Sequence, residues 1–160
     1  MDDNRGQRCS IIVFSGDMDR IMGAFIIATT AAALGMETMM FFTFWGLQAL
    51  KKKGVSSGKS LFGRLLSLSF KDIEGIGPSR LNMGGVGRRI FKKMMKKENV
   101  ASLSQLRQMA IDLDVRLFAC QMSMDVMEIK KEHLVDQVED VVGAATYVLH
   151  AQSADITLFI

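Results

Sequence analysis

The fold is decided by the stretch CSIIVFSGD, which occupies residues 9–17. Its first six residues are apolar and partly β-branched, which is typical of a buried strand, and Ser15-Gly16-Asp17 predicts a turn after it. Residues 20–34 are rich in alanine and favour a helix, which Asp17 or Asp19 can cap. The next stretch, ETMMFFTF at residues 37–44, has the length and aromatic content of a strand buried on both faces. These three elements predict a right-handed βαβ unit with parallel strands, the start of an α/β sheet.

The last third of the chain predicts more elements of the same kind. Ser102 and Gln105 have the spacing of a capping box, which predicts a helix from there to about Leu113. A strand over residues 115–120 follows, and then a helical stretch to about Lys131 with Asp125 and Glu128 as a cap pair. The remaining pattern predicts a helix over residues 141–152 and a strand over residues 155–160, either central or at the edge of the sheet.

Length and composition narrow the class of protein. A chain of 160 residues and 17.7 kDa fits one domain, and 49% apolar with 23% charged residues excludes disorder and fibrous repeats. Two cysteines exclude a disulfide scaffold or a Cys-rich zinc module, and they favour a reducing compartment. The first residues lack the pattern of a secretory signal, so we expect a cytoplasmic protein. His133 and His150 stand apart from other ligand types, and we expect neither a metal nor a cofactor.

One long apolar region could be interpreted as a membrane-spanning segment. Residues 21–36 carry no charge, and the apolar run resumes at residues 38–50 after Glu37. Neither piece reaches the roughly 18 to 20 residues needed to cross a bilayer, which favours a buried helix followed by a strand. A membrane hairpin is the alternative.

The charge is distributed unevenly. Residues 51–97 contain 13 Lys or Arg against two acidic residues, a net charge of +11, whereas the rest of the chain carries −8. Because Gly/Ser-rich segments interrupt this part, we interpret residues 51–100 as a basic insertion within a single domain spanning 1–160. Such asymmetry favours an anionic ligand, an acidic partner or a neighbouring subunit, and a solvated insertion is the alternative.

Within the insertion, residues 88–97 alternate basic and apolar pairs at near-helical spacing, which predicts a short basic amphipathic helix. Candidate residues for docking a partner or an anion are Arg88, Arg89, Lys92 and Lys93. Peripheral membrane contact is possible for such a helix, and an ordinary solvated helix is the alternative. The preceding glycines at 84, 85 and 87 lack the ending of a phosphate-binding loop. We do not expect nucleic-acid binding, because the basic stretch lacks a recognition motif and stacking aromatics.

Cys120 is the candidate for covalent chemistry. It lies at the predicted carboxyl end of a strand, where ligands bind in open α/β sheets and where a helix N-terminus can lower the pKa of a thiol. A buried structural thiol is the alternative. Cys9 begins its strand and should lie about 17 Å away at the other end of the sheet, so we expect it to be structural and unpaired with Cys120.

The chain resembles a known family at two segments, LFACQMSMDVM over residues 117–127 and the opening CSIIVFSGD. It looks like a DsrE-family protein, of the branch often labelled "peroxiredoxin family", and the likeness runs nearly end to end. The resemblance implies a flavodoxin-like three-layer α/β fold, a homo-oligomer and a cytoplasmic sulfur relay in which Cys120 carries a persulfide. The partners it implies are TusA-like sulfur carriers, rhodaneses and heterodisulfide-reductase-like complexes.

The leading hypothesis is therefore a sulfur carrier or sulfurtransferase with Cys120 as the nucleophile. Backbone amides near Gln121, Met122 and Ser123 would stabilise the sulfur anion. The expected pocket walls are Ser15, Gly16, Asp17, Trp45 and Gly46, although Trp45 could equally fill the core. Two alternatives are a non-catalytic assembly or membrane-docking module and a thiol peroxidase. Peroxidases of the peroxiredoxin type place a proline beside the reactive cysteine, whereas the single proline here is Pro78.

Overall fold

A parallel sheet forms the centre of the molecule. The computed structural model describes residues 6–55, 72–80 and 83–160, and within these ranges five strands form one sheet. They are β1 (Arg8–Val13), β2 (Glu37–Phe42), β3 (Arg116–Cys120), β4 (Val138–Val142) and β5 (Ile156–Phe159). The strand order is β4-β3-β2-β1-β5, and every neighbouring pair is parallel. All carboxyl ends of the strands therefore lie at one end of the sheet, with β4 and β5 at its edges.

The strands are joined by helices and shorter 3-10 turns. The α-helices in the described ranges are α1 (Met18–Ala33), α2 (Val86–Lys97), α3 (Leu103–Asp112), α4 (Gln121–Val126) and α5 (Ala144–Ala151). The 3-10 turns cover Phe44–Leu50, Ile73–Gly75, Met83–Gly85 and Lys131–His133. The α/β class predicted from sequence is confirmed.

The predicted βαβ unit is present as β1, α1 and β2. The helix starts at Met18, slightly earlier than its pattern indicated, and both Met18 and Ile21 are buried in the core. The second strand ends at Phe42 rather than at residue 44. The amide of Thr43 donates to the carbonyl oxygen of Val13 at 3.0 Å, and the chain then turns into the 3-10 helix.

Alternating side chains divide the core between the two faces of the sheet. In β3, Leu117 and Ala119 join a large cluster with Phe25 of α1 and Leu106 of α3. Phe118 and Cys120 point to the other face and join a smaller cluster with Tyr147 of α5. This alternation, with a period of two residues, produces three layers and determines the layer in which each strand side chain lies.

Two helices in the last third of the chain have other bounds than predicted. The helix predicted over residues 141–152 is present as α5 but begins at Ala144, because Val138–Val142 forms β4, a strand that was not predicted. Glu139 and Asp140 are exposed in this edge strand, so its sequence lacks the apolar run of a buried strand. The helix expected to continue to Lys131 ends at Val126. The strand predicted at residues 155–160 is confirmed as β5, at the edge of the sheet.

The basic region contributes to the core as well as to the surface. Ile73, Ile76 and Met95 are buried in the larger cluster, and the amide of Met18 donates to the carbonyl oxygen of Gly77 at 2.8 Å. The helix predicted over residues 88–97 is present as α2. Most of the loop predicted at residues 54–60 lies outside the described residues, because only residues 54 and 55 of it are described.

The apolar stretch that suggested a membrane hairpin forms α1 and β2 in the sheet structure. Among the described residues, no helix has the length and apolar character needed to cross a bilayer.

Candidate functional site

Cys120 is the last residue of β3 and the residue from which α4 begins. Its side chain makes no capping hydrogen bond to the first turn of α4. The first amides of a helix have no partner within the helix itself. The thiol itself is buried, with 3% of the residue exposed.

Cys120 belongs to the smaller core cluster, which contains three aromatic side chains. The Phe41 and Tyr147 rings stack with their centroids 4.4 Å apart, and Phe118 lies next to Cys120 on the same face of β3. The hydroxyl groups of Tyr147 and Ser10 form a buried hydrogen bond, and burial raises the pKa of Tyr147. The proximity of these residues to Cys120 was not predicted, although the two-residue alternation along β2 and β3 indicates that Phe41, Phe118 and Cys120 share a face of the sheet.

The helix after Cys120 is held to the end of β2. Ser123 is fully buried, and its hydroxyl lies 2.8 Å from the Thr43 hydroxyl in a hydrogen bond. The predicted cap pair is wrong: Asp125 is inside α4 and accepts a hydrogen bond from the Gln121 side chain at 2.8 Å. Gln121 and Met122 are exposed at the start of the helix.

Most of the residues predicted as pocket walls line a cavity that does not include Cys120. A polar cavity of about 400 Å³ is lined by Phe14, Ser15, Gly16, Asp17, Arg20, Trp45 and Gln48. The Ser15 hydroxyl lies 3.2 Å from an Asp17 carboxylate oxygen, and the Arg20 guanidinium lies 3.9 Å from the same carboxylate. Four of the predicted residues therefore line the cavity, namely Ser15, Gly16, Asp17 and Trp45. Cys120 and residues 121–123 do not line it. Arg20 and Gln48 were not predicted.

Two glycines allow the walls of this pocket to approach each other. A Cβ on Gly46 would lie 2.2 Å from the carbonyl oxygen of Val13, and one on Gly16 would lie 2.8 Å from the Cβ of Trp45. The loops after β1 and β2 therefore contact each other through positions where a side chain has no room.

Cys9 and Cys120 lie at opposite ends of the sheet and on opposite faces of it. It pairs with Thr38 at the start of β2, whereas Cys120 lies one residue beyond the pair Phe42 and Ala119 at the other end. Cys9 is fully buried in the larger cluster, and burial raises the pKa of its thiol. Both cysteines are free thiols in the structure.

The four basic candidates divide into two pairs on α2. Arg88 donates to the carbonyl oxygen of Gly75 at 2.6 Å, and Lys92 contacts the carboxylate of Glu74 at 2.8 Å. The bond from Lys92 lowers the pKa of Glu74. Arg89 and Lys93 are exposed. Only the second pair therefore faces outward, which spacing alone did not distinguish.

Comparison with known proteins identifies the family. The family model described as "DsrE/DsrF/DrsH-like family" matches residues 5–159. The chain belongs to this family. It is 38% identical over 159 residues to the uncharacterised protein YrkE of Bacillus subtilis, covering 96% of this chain and 97% of that protein. It is also 36% identical over 157 residues to the sulfur carrier protein DsrE2 of Allochromatium vinosum, covering 96% and 98%.

Solved structures of this DsrE-like fold support the architecture. The crystal structure of the Escherichia coli protein ychN aligns with a TM-score of 0.56 at 12% identity, over 96% of this chain and 99% of that one. The Methanobacterium thermoautotrophicum protein MTH1491 aligns with a TM-score of 0.50 at 13% identity, over 96% and 99%. At such identities these similarities concern the fold.

Proposed function

We propose that this DsrE-like protein is a sulfur carrier that holds sulfane sulfur on Cys120. The observation that carries the proposal is the place of Cys120, at the carboxyl end of a parallel strand and directly before an uncapped helix start. The family and the 36% identity to a protein named as a sulfur carrier support the same chemistry.

In the proposed reaction, the Cys120 thiolate attacks the outer sulfur of a persulfide donor. A new S–S bond forms at Cys120, the S–S bond of the donor breaks, and the donor leaves as a thiolate. In the second step an acceptor thiolate attacks the outer sulfur and Cys120 leaves as the thiolate. One cysteine is sufficient for both steps, because no disulfide forms within the chain.

The surroundings of Cys120 suit a bound persulfide. The first amides of α4 would stabilise the negative charge on the outer sulfur, and the apolar cluster would protect it from water. The bond between Ser123 and Thr43 would hold these amides in place. Access would come from the exposed side of α4, at Gln121 and Met122.

Partners are part of the same proposal. The donor and acceptor classes are a rhodanese, a TusA-like carrier or a heterodisulfide-reductase-like complex in a reducing cytoplasm, where thiols stay available. We also propose a homo-oligomer. Val148, Leu149 and Phe159 expose apolar side chains on α5 and β5, a surface that a second copy would cover.

The test is a sulfur-loading experiment with polysulfide or tetrathionate, read by intact mass and peptide mapping. We expect an adduct at Cys120 that dithiothreitol removes; polysulfide would add sulfur atoms and tetrathionate a thiosulfonate group. The Cys9→Ser variant should load normally, whereas Cys120→Ser and Cys120→Ala should not. Thermal unfolding of the three variants would show that each is folded. An adduct on Cys9, or none on the folded wild type, would contradict the proposal.

A further inference from the structure

An exposed apolar stripe runs along the outer side of α2. Val86, Ile90 and Met94 are four residues apart, so they lie on one side of the helix, and they are 55%, 56% and 59% exposed. Met83, just before the helix, is 75% exposed. This apolar surface continues into a groove of about 620 Å³ that Pro78 and Phe91 also line.

The orientation of α2 is determined by its opposite side. Met95 is buried in the core, and Arg88 and Lys92 bind Gly75 and Glu74. These contacts keep the apolar stripe directed away from the protein.

Positive charge lies beside the stripe. Arg89 and Lys93 follow Val86 and Ile90 by three residues, and Lys96 and Lys97 are exposed at the end of the helix. Within the described ranges, no ion pair neutralises Arg89, Lys93 or Lys96, and α2 contains no acidic residue. The exposed side of α2 is thus apolar along its middle and cationic along one flank.

We propose that α2 binds the surface of an anionic membrane and lies in the plane of the lipid headgroups. A lipid surface has a negatively charged layer directly above an apolar one, which complements cations placed beside an apolar stripe. The apolar side chains would enter the boundary of the acyl chains, and the long basic side chains would reach the headgroup phosphates. This inference is independent of the chemistry proposed for Cys120.

The test is flotation of the purified protein with phosphatidylglycerol and phosphatidylcholine vesicles, compared with phosphatidylcholine alone. We expect the bound fraction to be higher on the anionic vesicles and to fall as salt rises. Loss of two cations in Arg89→Gln/Lys93→Gln should weaken binding about tenfold or more. Ile90→Gln/Met94→Gln should also weaken it, because the apolar contacts are lost.

Matched control variants test whether vesicle binding depends on α2 and not on other exposed apolar residues. Met109→Gln/Leu113→Gln changes two apolar residues at the end of α3 that have the same spacing and are 46% and 39% exposed. It should float like the wild type, as should Cys120→Ser. Unfolding midpoints would confirm that the surface variants fold. Equal binding to neutral vesicles, or binding unaffected by the α2 variants, would overturn the proposal. A change in oligomeric mass on altering α2, without vesicle binding, would assign the stripe to a second copy instead and overturn it as well.

Discussion

Gly46 shows how one residue controls the shape of the pocket region. Its amide donates to the carbonyl oxygens of both Phe14 and Thr43 at 3.0 Å, joining the ends of β1 and β2. A Cβ at this position would point at the backbone of Val13, and that backbone cannot move without disturbing β1. The loops that carry Ser15 and Trp45 depend on this contact.

Replacing this glycine should destabilise the protein. We expect Gly46→Ala to lower the free energy of unfolding by about 1–3 kcal/mol, because its Cβ would collide with backbone atoms. Urea denaturation would measure the change. The matched control is Gly23→Ala inside α1, where a Cβ meets no atom within 4 Å. It should leave stability unchanged or raise it by up to about 1 kcal/mol. Equal effects at both positions would contradict the interpretation of Gly46.

At the scale of elements, the short helix α3 is stabilised by a capping box at its start and by burial of its apolar face. The Ser102 hydroxyl accepts from the Gln105 amide at 3.3 Å, and the Gln105 side chain accepts from the Ser102 amide at 2.8 Å. Leu103, Leu106 and Ala110 are buried against the core. Met109 and Leu113, at the end of the same helix, are 46% and 39% exposed.

The cap should contribute measurably to stability. We expect Ser102→Ala to lower the free energy of unfolding by about 1 kcal/mol, because the Gln105 amide loses its acceptor. Ser102→Asp keeps an acceptor at this position and should recover most of the loss. Chemical denaturation of the two variants beside the wild type provides the measurement, and no difference between Ala and Asp would refute a capping role.

At the scale of the whole molecule, charged side chains connect the strands at the amino end of the sheet. The Arg116 guanidinium donates to both Glu139 carboxylate oxygens at 2.7 and 2.9 Å and to Glu37 at 3.2 Å. Arg8 donates to the other oxygen of Glu37 at 2.7 Å. This network spans β4, β3, β2 and β1, at the end of the sheet opposite Cys120.

The network predicts a loss of stability in acid. The hydrogen bond from Arg116 holds the pKa of Glu139 below its ordinary value of 4.5, and Lys92 does the same for Glu74. A folded-state pKa below the unfolded value means that the stabilisation is present above pH 4.5 and is lost as pH falls through the folded pKa. Urea unfolding at about pH 7 and about pH 3.5 would measure it. Glu139→Gln should lose less stability between the two pH values than the wild type does, and an equal loss would contradict this role.

The sequence by itself determined the elements whose signals are local. The apolar run before Ser15, the alanine-rich helix and the capping box at Ser102 predicted β1, α1 and α3, because strand burial, helix propensity and capping act between near neighbours. The position of Cys120 at a strand end was predictable for the same reason.

Only the tertiary structure decided features that depend on distant residues. Glu139 and Asp140 lie in a strand because β3 provides the hydrogen-bonding partner, although their own preference for a strand is weak. Arg88 and Arg89 are adjacent in sequence but have different surroundings, because Gly75 lies beside only the first of them. The side of the sheet to which Cys120 points is likewise set by the register of β3 against β2, since a shift of one residue would move its thiol to the other core.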